Sequence, residues 1–102
     1  DLVVVNLYPF AETAEKFEKG KAGFDELIEN IDIGGPTLIR AAAKNYQDVL
    51  VVVDPADYPE VATQLSGEET VEFRFEMAKK AFGHIAVYDV VIAETLMGVQ
   101  LS

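Results

Sequence analysis

The chain has 102 residues and a formal net charge of −10, from 18 Asp and Glu against 8 Lys and Arg. That length suits one small domain rather than two, and a residue content that is 50% hydrophobic excludes a disordered tail. The absence of cysteine removes disulfides and thiolate metal sites, and the acidic balance disfavours nucleic-acid binding or attachment to a membrane through a basic face. No apolar run is long enough to span a bilayer, and no signal-peptide pattern is present. The single His is a poor basis for a catalytic zinc site. A cysteine-free composition suits a reducing cytoplasm.

Leu2-Val3-Val4-Val5 is a short apolar run rich in β-branched residues. It reads as a strand covered on both faces, as in a parallel sheet. With Asp1 leading straight into it, the expectation is of a chain cut within a larger domain. Asn6 to Thr13 reads as a loop, because Pro9 removes a backbone donor and holds Tyr8 out of the helical region. Glu12 to Lys21 is charged, carries Gly20, and reads as a solvated loop or frayed helix. Phe24, Leu27, Ile28 and Ile31 recur at helical spacing, which predicts a short amphipathic helix over Gly23 to Asn30. Gly34 and Gly35 end it, and Pro36 suits the first turn of the next helix, which closes on Asn45.

Val49 to Val53 is the second apolar strand, stopped by Asp54-Pro55. Asp57 is a candidate N-cap for a helix over Tyr58 to Leu65, and Ser66 with Glu69 fits a capping box. From Val71 onward, Phe75, Ala78, Phe82, Ile85, Ile92 and Leu96 keep a helical period. That predicts one long helix to about Met97, disturbed at Gly83. The order is strand, helix, helix, strand, helix, long helix, an α/β pattern with a right-handed crossover between parallel strands. Two strands make a poor sheet, so further strands are expected from upstream or from a partner chain.

In open parallel sheets, ligands bind beyond the carboxyl ends of the strands. Those ends lead here into Asn6-Leu7-Tyr8-Pro9-Phe10 and Asp54-Pro55. Asn6 and Tyr8 either present polar groups to a ligand or simply shape a turn. Gly34-Gly35-Pro36 before a helix offers backbone amides and the positive end of a helix dipole. Asp32 beside it suits a general base or acid, or an ordinary helix cap. Arg40 and Lys44 lie four apart on one helix face, an arrangement that is either a solvated surface or a basic flank to a site. The helix from Pro36 to Lys44 is about 12 Å long, so Asp32 meets Lys44 only if the preceding loop folds back along it. His84, beside Gly83 on the long helix, reads first as structural and second as catalytic.

Val5-Asn6-Leu7-Tyr8-Pro9-Phe10, Ile31-Asp32-Ile33-Gly34-Gly35-Pro36, Arg40-Ala41-Ala42-Ala43-Lys44-Asn45 and Val53-Asp54-Pro55 follow one another in a set order and spacing. Together with Lys80-Ala81-Phe82-Gly83-His84 and Tyr88-Asp89, they resemble the cyclohydrolase domain of the bifunctional purine biosynthesis family. That family joins an AICAR transformylase to an inosine monophosphate (IMP) cyclohydrolase. The resemblance covers nearly the whole chain. It implies a methylglyoxal synthase-like, three-layer α/β fold with a parallel sheet, of which residues 1–102 would be part, without the transformylase domain. The implied reaction closes the last purine ring: formyl-AICAR loses water and becomes IMP.

Position by position, the resemblance implies that Asp32 and Lys44 are a proton-transfer pair and that Tyr8 stands at the reacting formyl group. It further implies an oxyanion hole from the amides of Ile33 and Gly34, with Asn6 and Arg40 as supporting substrate contacts. The cyclohydrolase step needs no metal or cofactor, whereas the transformylase uses 10-formyltetrahydrofolate. The family's phosphate-binding groups would precede Asp1, so the segment alone is expected to be inactive. The implied partners are formyl-AICAR and either a second copy of the parent protein or its N-terminal half. The alternatives are an anion-sensing domain of the same fold and an interaction segment that pairs through an exposed sheet edge.

Overall fold

The two Leu-Val-Val-Val runs pair with each other. A computed structural model describes residues 1–7 and 10–101, and in it β1 (Leu2–Val4) lies parallel to β2 (Leu50–Val52). Leu2 sits opposite Leu50, Val3 opposite Val51 and Val4 opposite Val52. The ladder continues at both ends, with Leu50 N–H donating to Asp1 O at 2.9 Å and Val5 N–H to Val52 O at 3.0 Å.

Between the strands run α1 (Phe10–Glu18), α2 (Phe24–Glu29) and α3 (Gly34–Lys44). After β2 come a 3-10 turn (Pro55–Asp57), α4 (Tyr58–Leu65) and α5 (Val71–Met97). The expected three-layer α/β arrangement is present. Ile39, Ala42 and Ala43 of α3 cover one face of the sheet, against Val51 and Val53. Val61 of α4 covers the other, against Leu50 and Val52. The long helix α5 serves both faces, giving Ala78, Ala81 and Ile85 to the first cluster and Met77 to the second. Its far end packs Tyr88, Val91, Ile92 and Leu96 around a third cluster of Phe10, Ala14 and Leu27.

Burial on both faces holds for β2 and fails for β1. Val3 and Val5 pack on the α3 side, but Leu2 and Val4 are 46% and 48% exposed. Side chains alternate along a strand, and on the Leu2–Val4 side the nearest apolar cover is the rim formed by Val61, Ala62 and Leu65 of α4.

Of the two readings of Glu12 to Lys21, solvated loop or frayed helix, the helix, α1, holds, and it starts at Phe10, within the stretch Asn6 to Thr13 expected to be a loop. Its charges hide a periodic face: Phe10, Ala14 and Phe17 recur at helical spacing and pack on Leu27 and Phe24. It stops at Gly20, whose φ of 73° is the left-handed conformation that ends helices. Gly20 N–H returns to Phe17 O and Lys21 N–H to Lys16 O, which satisfies the last carbonyls. The helix α2 and the Asn45 cap of α3 are as expected, but the glycines do not end α2: it stops at Glu29 with Asn30 as its cap, and Gly34 and Gly35 open α3, ahead of Pro36.

Two capping expectations are corrected. Asp57 makes no side-chain cap at α4; its carboxylate turns to Lys80 instead. Ser66 donates to Thr63 O, and Glu69 pairs with Arg74, so they form no capping box. Thr70 caps α5, accepting from Phe73 N–H at 3.1 Å. Helix α5 then runs unbroken for 27 residues through Gly83. Arg74 pins its start, donating to Tyr46 O at 2.9 Å and Gln47 O at 2.8 Å.

The molecule is elongated, 56 Å along its longest axis, against about 40 Å for α5 itself. The radius of gyration is 16.2 Å, above the roughly 13 Å of a compact chain of this size. Among the described residues, no helix is long and apolar enough to cross a membrane.

Candidate functional site

Helix α3 ends one short turn before β2 begins, so its first turn lies at the opposite end, where the parallel strands finish. Three segments therefore share that end: Asn6 after β1, Asp54 to Tyr58 after β2, and Asp32 to Gly35 at the head of α3. Helix α5 passes them in turn, with Lys80 and His84 at the strand ends and Tyr88 further along.

The head of α3 is built around Asp32. Its Oδ1 accepts from Gly35 N–H at 2.8 Å, which caps the helix. A Cβ on Gly35 would fall 2.7 Å from Asp32 Oδ2, so only glycine lets the carboxylate lie this close. Asp32 N–H donates to the Tyr88 hydroxyl at 2.9 Å, across 56 residues of sequence. Burial pushes the Tyr88 hydroxyl above its ordinary range, with a smaller upward push from the Asp32 charge. The N–H groups of Ile33 and Gly34 meet no acceptor among the described residues. They belong to the set of donors that every helix start leaves over. Ile33 is 73% exposed and Gly34 has open space around it, so these donors face outward beside a carboxylate and the positive end of the helix dipole.

The second cluster joins β2 to α5. Lys80 Nζ stands 2.7 Å from Asp57 Oδ2 and 3.5 Å from Asp54 Oδ2. Asp54 Oδ1 accepts from Ala56 N–H at 2.9 Å and thereby shapes the 3-10 turn. That backbone bond holds the Asp54 carboxyl below its usual range, helped by the Lys80 charge. The Asp57 contact holds the Lys80 ammonium above its usual range. Beside them, Asn6 Nδ2 donates to the Tyr58 hydroxyl at 3.4 Å.

Of the residues singled out from sequence, Asp32, Ile33 and Gly34 come together. Asn6 lies at the end of β1, against Tyr58. Arg40 and Lys44 do not join the Asp32 turn. Arg40 lies midway along α3, its guanidinium carbon 6.0 Å from the Phe82 ring centroid. Lys44 occupies the exposed last turn, about 14 Å of helix from Gly35. The loop before α3 caps the helix instead of folding back along it, so Asp32 and Lys44 are not a touching pair. Tyr8 lies outside the described residues. His84 is exposed at the mouth of an apolar hollow with Phe10, Val87 and Tyr88.

Sequence reasoning missed the Lys80–Asp54–Asp57 cluster and the Tyr88–Asp32 bond. Asp54-Pro55 was legible as a strand stop, and Lys80 as a charge on a helix. Their meeting depends on where α5 crosses the strand ends.

The layers define an α/β protein with a parallel sheet, and its candidate site lies at the carboxyl edge of that sheet. Residues 42–101 match the family model described as AICARFT/IMPCHase bienzyme. Bifunctional purine biosynthesis proteins PurH are close in sequence. The Bacillus subtilis protein is 54% identical over 101 residues, covering 97% of this chain and 19% of its own length. The Listeria welshimeri protein is 57% identical over 98 residues, covering 94% and 19%, and that of Ruminiclostridium cellulolyticum is 53% identical over 98 residues, covering 94% and 18%. The crystal structure of ForH superposes with a TM-score of 0.71 at 33% identity, covering 98% of this chain and 53% of that one. The chain belongs to the AICARFT/IMPCHase bienzyme family, whose bifunctional PurH members serve purine biosynthesis. It spans about a fifth of the length of the curated relatives it matches.

Proposed function

We propose that this segment carries part of an IMP cyclohydrolase site, within a protein that also formylates AICAR from 10-formyltetrahydrofolate. In the ring closure, the carboxamide nitrogen of formyl-AICAR attacks the formyl carbon and a C–N bond forms. The formyl oxygen takes up negative charge and is protonated to a hydroxyl as the attacking nitrogen loses a proton; the C–O bond then breaks, a second proton from a nitrogen completes water as the leaving group, and a C=N bond forms in the closed ring. Such a step needs fixed donors at that oxygen and a group that moves protons beside it. The observation that carries the reading is the head of α3: amides of Ile33 and Gly34 that meet no acceptor among the described residues, beside a carboxylate that accepts from Gly35 N–H, in a turn whose backbone is tied to Tyr88. In this reading Asp32 handles the proton, the two amides hold the oxyanion, and Tyr8 completes the donor set. Asn6 contacts the substrate from the end of β1. Arg40 and Lys44 act at separate points on the substrate, because α3 keeps them away from Asp32.

The test is ring closure by the full-length bifunctional protein carrying this segment. Asp32→Asn and Lys44→Ala are each expected to lower kcat for cyclisation of formyl-AICAR by about a hundredfold or more, while transformylase activity persists. Undiminished cyclisation by Asp32→Asn removes the assignment at the head of α3. Undiminished cyclisation by Lys44→Ala removes the lysine alone.

A second reading is compatible with the first. The outer edge of β1 carries half-exposed Leu2 and Val4, and it suits pairing with a further strand, from another part of a family protein or from a second copy.

A further inference from the structure

The role given to Asp32 leaves one built contact unused. Tyr88 sits on α5, 56 positions from Asp32, and its hydroxyl oxygen accepts the Asp32 backbone N–H at 2.9 Å. The same side chain meets Phe10 edge to face, with ring centroids 6.3 Å apart at 68°. Phe10 is buried at the start of α1, immediately after the loop that leaves β1. A single residue therefore touches both chain segments that the proposed function brings to the formyl group: the Asp32 turn through its hydroxyl, and the segment after β1 through its ring.

Both contacts have the form of a fixing device. The Asp32 N–H precedes the helix and has no place in its own ladder, so without an acceptor from another element this partly buried donor would be left over. The aromatic ring is packed between Phe10 and the apolar side of α5 around Val91 and Ile92. The hydroxyl is thus delivered from a rigid helix by a side chain with few rotatable bonds. Small errors in the position of a reacting group cost large factors in rate.

We infer that Tyr88 is the positioning residue of the ring-closing site, fixing the Asp32 turn through its hydroxyl and Phe10, at the start of α1, through its ring. This rests on the reading of Asp32 given above. Tyr88 does not touch the reacting atoms. It sets where the Asp32 carboxylate and the Ile33 and Gly34 amides stand relative to the residues that follow β1.

Tyr88→Phe separates the two contacts, because it keeps the ring and deletes the acceptor. In the full-length protein it is expected to lower kcat for formyl-AICAR cyclisation about tenfold, the factor that the loss of one well-placed hydrogen bond gives. KM is expected to stay within about twofold, since bound substrate still meets the same groups. In the isolated chain, amide hydrogen exchange at Asp32 is expected to speed up, with a fall of several degrees in melting temperature. Tyr88→Leu, which also loses the ring, is expected to lower kcat further. Asp32→Asn, run alongside, separates two kinds of failure. If Asp32→Asn is impaired but Tyr88→Phe keeps full kcat, or Asp32 exchange is unchanged, the positioning role is overturned and the Asp32 reading stands. If Asp32→Asn keeps full activity, the reading fails and the inference falls with it.

Discussion

Two identical tetrapeptides lie side by side in this sheet. Leu2-Val3-Val4-Val5 and Leu50-Val51-Val52-Val53 pair in parallel and in register, leucine against leucine. The second is buried throughout, from Leu50 at 0% exposure to Val53 at 3%. The first leaves Leu2 and Val4 nearly half exposed. Composition and pattern are the same, so the difference lies in the neighbours. β2 has a strand on one side, α3 and α4 on its faces, and α5 along it. β1 likewise has one strand neighbour, but a helix covers only one of its faces. A run of β-branched residues states what a strand can tolerate, and only the assembled layers decide what it receives.

The comparison is most directly broken by trimming the matched leucines. Leu50→Ala is expected to destabilise the chain by about 2–5 kcal/mol, the range for deleting a fully buried leucine. Leu2→Ala, at the paired position, is expected to cost less than about 1 kcal/mol, since much of its surface already meets water. Paired denaturant titrations measure both, and equal losses would mean that β1 is covered in solution. A middle-sized effect concerns that covering. The isolated chain is expected to associate through the β1 edge at high concentration, and Val4→Lys to abolish association by placing a charge on it. Sedimentation showing a monomer for both, with the same cooperative melt, would remove the edge from consideration.

The smallest expected effect is at the strand ends, where β2 alone runs into an ionic tie. The Asp54 carboxyl is held below its ordinary value of 3.8, first by the Ala56 N–H and then by Lys80. Its contribution is therefore complete above that value and is lost as pH falls through and below it. The Lys80 ammonium is held above its ordinary value of 10.5, so its contribution is complete below that value and is lost as pH rises past it. Melting temperature against pH should be flat between these limits and fall outside them. Lys80→Met should flatten the alkaline fall, and Asp54→Asn should flatten part of the acid one.

Periodicity disclosed α2, most of α3, both strands and the full span of α5, because each has an apolar stripe or run long enough to read. It also held the information for α1. Phe10, Ala14 and Phe17 form a helical face, but the surrounding charges and the proline just before it favoured a loop reading. Caps were less legible. Thr70 and Asp54 do the work that pattern assigned to Ser66 and Asp57, since a short polar side chain caps whichever end the backbone brings to it. The order of residues placed Asp32, Ile33 and Gly34 together, where sequence proximity suffices. It did not place Lys80 beside Asp54, or Tyr88 beside Asp32, because those meetings depend on the angle at which a 27-residue helix crosses the sheet. The separation of Asp32 from Lys44 followed from helix length and from one question sequence left open, the path of the preceding loop.

Helix α5 supplies residues to all three apolar clusters, and it follows β1 and β2 in the chain. During synthesis, β1 and β2 can pair before α5 exists, but Val51, Val53, Leu50, Val52, Phe10 and Leu27 then lack the surface that covers them. At about 5–20 residues per second, β1 waits roughly 5–20 seconds for α5. The nascent chain spends that interval with a bare sheet and an uncovered helical pair, the state in which a chaperone or a neighbouring chain finds it most easily. The order of translation thus sets how long these clusters wait for the helix that covers them.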